Sequence, residues 1–112
     1  MIRIKRVYEQ PEAADGVRIL VDRLWPRGVA KESARFDEWC KEIAPSNELR
    51  QWFGHDPARW EEFRIRYLQE LTGHKEILTR LQNLAQKETV TLLYAARDEA
   101  HNNAVVLKEL IE

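Results

Sequence analysis

Arg18-Ile19-Leu20-Val21-Asp22-Arg23-Leu24-Trp25-Pro26-Arg27-Gly28 runs from an apolar strand into a charged, aromatic loop. Ile19, Leu20 and Val21 are consecutive strand formers, the pattern of a strand covered on both faces. Pro26 and Gly28 are breakers. α/β proteins build ligand sites where a buried strand empties into such a loop, here carrying Asp22, Arg23, Trp25 and Arg27. Working outward, Val17 to Leu24 is expected as a central strand. Ile2, Ile4 and Val7 mark a short first strand, and Thr89 to Ala96 a third. Nine residues, 8–16, join the first two strands, which is short for a helical crossover between parallel neighbours. Either those strands are not adjacent or their connection is irregular.

Helical signals fill the middle and end of the chain. Ser46 suits the N-cap of a short helix that turns Leu49, Trp52 and Phe53 inward and ends at Gly54. Asp56-Pro57 opens the next, with Trp60, Phe63, Tyr67 and Leu71 at spacings of three and four. Glu62 and Arg66 form an i,i+4 pair on its wet side. After Thr72-Gly73, Ile77, Leu78, Leu81, Leu84 and Ala85 stripe a further helix. Asp98 is the expected cap of a last helix over 99–111, with Ala104, Leu107 and Ile111 on one face. Residues 36–44 read both as helix and as strand. The expectation is a small single α/β domain over 1–112, with a mostly parallel sheet of three or four strands flanked by helices.

Composition narrows the function classes. The chain has 112 residues, 44% hydrophobic and 33% charged, which fits a globular protein and argues against disorder. A net charge of −1 gives no global attraction to nucleic acid or membrane. Between Arg18 and Arg35, however, five basic residues face two acidic ones, which marks either a candidate anion site or a solvated surface loop. Cys40 is the only cysteine, so no internal disulfide forms. The first residues alternate apolar and basic, unlike a signal peptide, and no apolar run reaches membrane-spanning length. A cytoplasmic protein is expected, with no membrane contact.

If the second and third strands are parallel neighbours, their C-terminal ends share one crevice. Asp22, His101 and Tyr94 are then the candidates for catalysis, the first two as acid–base groups and the third as a hydrogen-bond donor. Arg23, Trp25, Arg27, Gly28, Ser46, Arg50, Arg97, Asn102 and Asn103 are the candidates for ligand binding. Each has a plainer alternative: an Asp22 ion pair, arginines that hold carbonyls, a packed Trp25, and capping by Ser46 or the two asparagines. Pro26 and Gly28 around Arg27 fix the loop and permit close approach of its backbone. His55, His74 and His101 lack the spacing of a metal site, so no metal is expected. No glycine-rich phosphate loop, serine-nucleophile motif or other cofactor signature is present.

These residues also carry a resemblance. Asp15-Gly16, Val21-Asp22-Arg23-Leu24-Trp25-Pro26-Arg27-Gly28, Ala44-Pro45-Ser46 with Leu49-Arg50, Trp52-Phe53-Gly54-His55-Asp56-Pro57, and Thr91-Leu92-Leu93-Tyr94-Ala95-Ala96 followed by His101-Asn102-Asn103-Ala104 resemble the YeaO-like family. These are small bacterial proteins with a domain of unknown function. The resemblance spans nearly the whole chain and implies a compact α/β domain. Wider relatives carry Asp-Val-Arg after a strand and Cys-His-Arg near a late helix start. Asp22-Arg23 is similar to the first, while Ala100-His101-Asn102 lacks the cysteine and arginine of the second. A thiol-dependent role therefore does not carry over.

The function expected is binding of a small anionic, phosphate- or nucleotide-like ligand at the strand ends, with catalysis left open. The alternative is a nucleic-acid-binding regulatory module through a helix–turn–helix-like pair at 57–86. Its second helix balances Lys75, Arg80 and Lys87 with Glu76 and Glu88, which counts against DNA. A third possibility is a protein-interaction module presenting some of the four tryptophans.

Overall fold

The computed structural model describes residues 1–112. Strands β1 (Ile2–Arg6), β2 (Val17–Leu20), β3 (Glu38–Trp39) and β4 (Val90–Tyr94) form one sheet in the order β1-β4-β2-β3. Every neighbouring pair is parallel. Helices α1 (Asn47–Phe53), α2 (Trp60–Leu71), α3 (Lys75–Lys87) and α4 (Asn103–Ile111) complete the α/β architecture. None of them is long and apolar enough to cross a membrane.

The last strand enters the gap between the first two. Leu92 sits opposite Ile4 on one side and Ile19 on the other. β1 and β2 are therefore not neighbours, and the short connection between them needs no crossover helix. Its backbone turns through Ala13–Asp15 and Gly16, whose φ of 63° is open to glycine and strained for other residues. A Cβ at Gly16 would meet the Thr89 carbonyl oxygen at 2.1 Å.

Alternation gives the sheet two chemically different faces. Ile2, Ile19, Val21, Val90, Leu92 and Tyr94 join the main apolar core with Phe63, Tyr67, Leu71, Leu78, Leu81, Leu107 and Ile111 from the helices. Phe63 and Leu81 are fully buried and Trp60 partly so, as the helical stripes require. The other face carries Lys5, Arg18, Leu20, Thr91 and Leu93, all buried. Trp39 stands in register with Leu20 on this side and meets Trp25 edge-on at 5.4 Å between ring centres.

The ionic part of this second face centres on Asp15, which has no exposed surface. Lys5 Nζ donates to both of its oxygens at 3.2 Å and to Glu12 Oε1 at 2.8 Å. Arg18 pairs with Asp15 Oδ2, and the Glu12 N–H donates to the same oxygen at 3.0 Å. Thr91 Oγ1 donates to the Asp15 carbonyl at 2.7 Å, so β4 is tied to this cluster.

Local caps follow the expected chemistry. Ser46 Oγ accepts from the Leu49 N–H at 3.1 Å, and Gly54 ends α1 in the left-handed region. Asp56 caps a 3₁₀ turn at Pro57–Arg59 that leads into α2. Expected boundaries move: the strand expected over Thr89 to Ala96 spans only Val90–Tyr94. β2 ends at Leu20 rather than Leu24, because its partner β3 is two residues long and the Asp22 side chain, not a backbone carbonyl, takes the Ala95 N–H. The ambiguous stretch 36–44 is that short strand followed by a 3₁₀ turn at Lys41–Ile43. The last helix starts at Asn103 instead of 99, capped by Asn102 Oδ1 on the Val105 N–H at 3.1 Å.

Burial alone raises the Asp15 carboxyl, but the Glu12 N–H, Lys5 and Arg18 outweigh it and hold it below the ordinary 3.8. A depressed carboxyl stabilises the fold above the unfolded value, and this stabilisation is lost as pH falls below it. Asp15→Asn should cost about 3–5 kcal/mol at neutral pH, as expected when one partner of a buried ion cluster is removed. Below pH 3.8 the variant should lose less further stability than the wild type, which urea melts at several pH values would read out.

Candidate functional site

The C-terminal ends of β2 and β4 lie side by side and open onto a crevice of about 390 Å³. Strand ends at this point of a parallel sheet leave backbone groups and loop side chains free to face a ligand. Asp22 stitches the two ends together: its Oδ2 accepts from the Ala95 N–H at 2.9 Å. Asn103 adds the start of α4, donating from Nδ2 to the Val21 carbonyl at 2.9 Å. Burial pushes the Asp22 carboxyl up. The Ala95 N–H, the Asn103 amide and the fields of His55 and Arg50 only partly offset that rise.

Asp22, Arg27 and His101 all line this crevice, although 79 residues separate the first from the last. Arg23, Trp25, Arg50, Asn102 and Asn103 line it as well. Histidines aside, its charged lining is three arginines against Asp22, a formal charge of +2.

The three arginines are not equivalent. Arg23 donates from Nε to the Pro45 carbonyl at 2.9 Å and from Nη2 to the Ala44 carbonyl at 3.2 Å. Its guanidinium is a strap between the β2 loop and the entry to α1. Arg50, on α1, has its Nε buried with no hydrogen-bond partner. Arg27 is exposed, and the Tyr8 hydroxyl donates to its backbone carbonyl at 3.0 Å. Neither Arg27 nor Arg50 enters an ion pair. Gly28 follows Arg27 with φ at 78°, so the turn at this point demands glycine.

His101 is held by its neighbours. Its Nδ1 lies 2.9 Å from Asp98 Oδ2, and its ring meets Trp60 edge-on at 5.3 Å. The hydrogen bond from His101 is the main reason the Asp98 carboxyl is lowered, with the Ala100 N–H helping. A neutral His101 donating from Nδ1 keeps its lone pair on Nε2. Asp98 is thus the partner that orients His101, rather than the cap of α4.

Other candidates lie elsewhere. Tyr94 points into the helix-side core, since it shares the parity of Val90 and Leu92, and it does not line the crevice. Ser46 lies outside it too, donating to Glu70 Oε2 at 2.6 Å while it caps α1. Gly28 and the exposed Arg97 are also outside the lining. Trp25 lines the crevice, yet its Nε1 donates to the Val29 carbonyl at 2.6 Å and its ring packs on Phe36 and Trp39. Asn102 donates to the Asp98 carbonyl at 2.9 Å besides capping α4.

Several lining residues were not read from the sequence as site residues: Tyr8, Pro45, Phe53, His55 and Phe63. His55 follows the helix-ending Gly54 with φ at 57°, and it stood inside the Trp52–Pro57 motif. Arg6 was also missed; it donates to the Ala95 and Ala96 carbonyls, each at 2.9 Å, and braces the end of β4. No group of three or more His, Cys, Asp or Glu side chains converges on a point suited to a metal. Cys40 is buried outside the crevice, and burial, with Glu38 and Glu42, pushes its thiol up to about 11. On α3, Arg80 is engaged by Glu38 at 2.6 Å and 3.1 Å, which reduces the cationic character of that helix.

A family profile described as "Inactive DUF488-N3 subclade" matches residues 1–112. The chain belongs to this subclade. Its relatives include YeaO of Escherichia coli, described as uncharacterized. That protein is 48% identical over 108 residues, 96% of this chain and 94% of its own. An uncharacterized protein of Mycobacterium tuberculosis is 44% identical over 110 residues, 98% and 92% of the two chains. The chain is thus YeaO-like. No solved structure matches it. The chain carries Ala100-His101-Asn102 just before α4, with no thiol in the crevice.

Two outcomes follow from these contacts. Arg23→Ala should cost about 2 kcal/mol, since two hydrogen bonds from a charged group are lost. Arg50→Met should be neutral or stabilising, because it removes a buried donor that has no partner. Thermal melts of the two variants beside the wild type would show the contrast. Cys40 should resist thiol reagents at neutral pH until the protein is unfolded by denaturant, as a timed labelling experiment would show.

Proposed function

We propose that the crevice binds a small phosphate-bearing molecule without transforming it. The observation that carries this reading is the Arg50 guanidinium, which lines the crevice, enters no ion pair and leaves its buried Nε without a partner. A buried donor of this kind is expensive unless an acceptor meets it. A phosphate offers several acceptors, and guanidinium geometry suits it. The +2 charge of the lining favours a dianion over a monocarboxylate. Arg50 holds the phosphate from the interior side and Arg27 closes on it from the exposed loop. Asp98 holds His101 oriented as a further polar contact.

Binding without turnover agrees with the description of the subclade as inactive. It agrees also with the chemistry present, since the thiol and the late arginine of the wider relatives are missing. This reading takes the protein as cytoplasmic, where phosphorylated small molecules are plentiful.

The test is thermal stabilisation, which reports any ligand that binds only the folded state. Millimolar phosphate or phosphate esters should raise the melting temperature of the wild type. Arg50→Met should lose most of that increment, and Arg27→Ala a large part of it. Arg27→Lys should recover only some, because an ammonium does not fork onto two oxygens. Duplex DNA should give little shift at physiological salt. No shift with phosphates, together with a salt-sensitive shift with DNA, would replace the crevice with the α2–α3 pair as the binding element.

A further inference from the structure

The crevice presents hydrogen-bonding groups of opposite sense, of which only the first is buried without a partner. Arg50 Nε needs an acceptor. Asp22 offers an acceptor: its Oδ2 is taken by the Ala95 N–H, and only the Asn103 amide stands by the rest of the carboxylate. A bare phosphate answers only the first. It also sets its own negative charge against the Asp22 carboxylate, inside a partly desolvated space where such repulsion is strong.

The walls between these groups are apolar. Pro45, Phe53 and Phe63 come from the α1 and α2 side, and the half-exposed Leu24 from the loop after β2. Phe53 and Phe63 stack on each other at 4.4 Å between ring centres and give the crevice a rigid carbon surface. A cavity of about 390 Å³ exceeds the needs of one phosphate and suits a small organic molecule. The occupant therefore has three parts: an acceptor-rich anion, a short carbon skeleton, and a hydrogen-bond donor on that skeleton.

We propose that the crevice selects a hydroxylated phosphate monoester, with the phosphate on Arg50 and Arg27 and a hydroxyl of the carbon skeleton donating to Asp22 Oδ1. This inference rests on the phosphate reading above and adds a second, discriminating contact. Asp22 is a specificity residue in this scheme. It turns away anions that bring no donor, and it holds those that do. Its backbone tie to Ala95 fixes the carboxylate in place, so little ordering is required when the ligand arrives.

Titration calorimetry on the full chain with two probes tests it: ribose 5-phosphate, which has hydroxyls, and ethyl phosphate, which has none. The wild type should bind ribose 5-phosphate about tenfold more tightly, the effect of one hydrogen bond to a charged group. Asp22→Asn keeps an acceptor for the Ala95 N–H but presents an amide to the ligand. It should erase the preference and tighten ethyl phosphate, because the repelling charge is gone. Equal affinity of the wild type for both probes, or a preference that survives in Asp22→Asn, overturns the inference while leaving the phosphate reading intact. Binding of neither probe overturns both. The wild-type comparison decides the matter alone should the variant fail to fold.

Discussion

All five residues of β4 are buried, so their backbone groups have no recourse to water and must be met by a strand on each side. β1 supplies one side and β2 the other, although both are made more than seventy residues earlier in the chain. This double pairing organises the molecule. It separates β1 from β2, and so permits the short connection through Gly16. It splits the sheet into an apolar face under the helices and an ionic face around Asp15. It also brings the ends of β2 and β4 together, which opens the crevice.

Two buried aspartates show how strictly the surroundings decide a carboxyl's behaviour. Asp15 and Asp22 are both raised by burial. Around Asp15 the Glu12 N–H and two hydrogen-bonded cations reverse that tendency. Around Asp22 the Ala95 N–H, the Asn103 amide and the fields of His55 and Arg50 offset burial only in part. The first aspartate is consumed by the fold. The second lines the crevice.

The arginines divide in the same way. Arg6, Arg18 and Arg23 spend their guanidinium groups on carbonyls and on Asp15, bracing the strand ends and loops. Arg50 is left with a buried donor that the protein does not satisfy. Unsatisfied polar groups of this kind are rare in folded proteins and ask for a reason. In a subclade described as inactive, the proposed ligand recognition would supply one. The relatives in Escherichia coli and Mycobacterium tuberculosis match along nearly the same length, so the same crevice can be sought in each.

Much of this was written in local patterns. Ile19-Leu20-Val21 and Val90 to Tyr94 read as buried strands, and the stripes of α2 and α3 read as helix faces. Ser46 and Asp56-Pro57 mark starts whose chemistry is contained in four or five residues. The family resemblance pointed to the same compact α/β class. What stayed hidden depended on groups arriving from far along the chain. Residues 36–44 adopt a strand only as long as β2 needs it, and Tyr94 turns to the core because its parity follows Leu92 across the sheet. Ser46 finds Glu70, Arg23 finds the Ala44 and Pro45 carbonyls, and Asp22 finds the Ala95 N–H. Helix and strand signals reside in the spacing of neighbouring side chains, so the sequence alone determined them. Whether a charged side chain is paired or free depends on which distant partner folding places within about 3 Å of it. That was settled only by the tertiary structure.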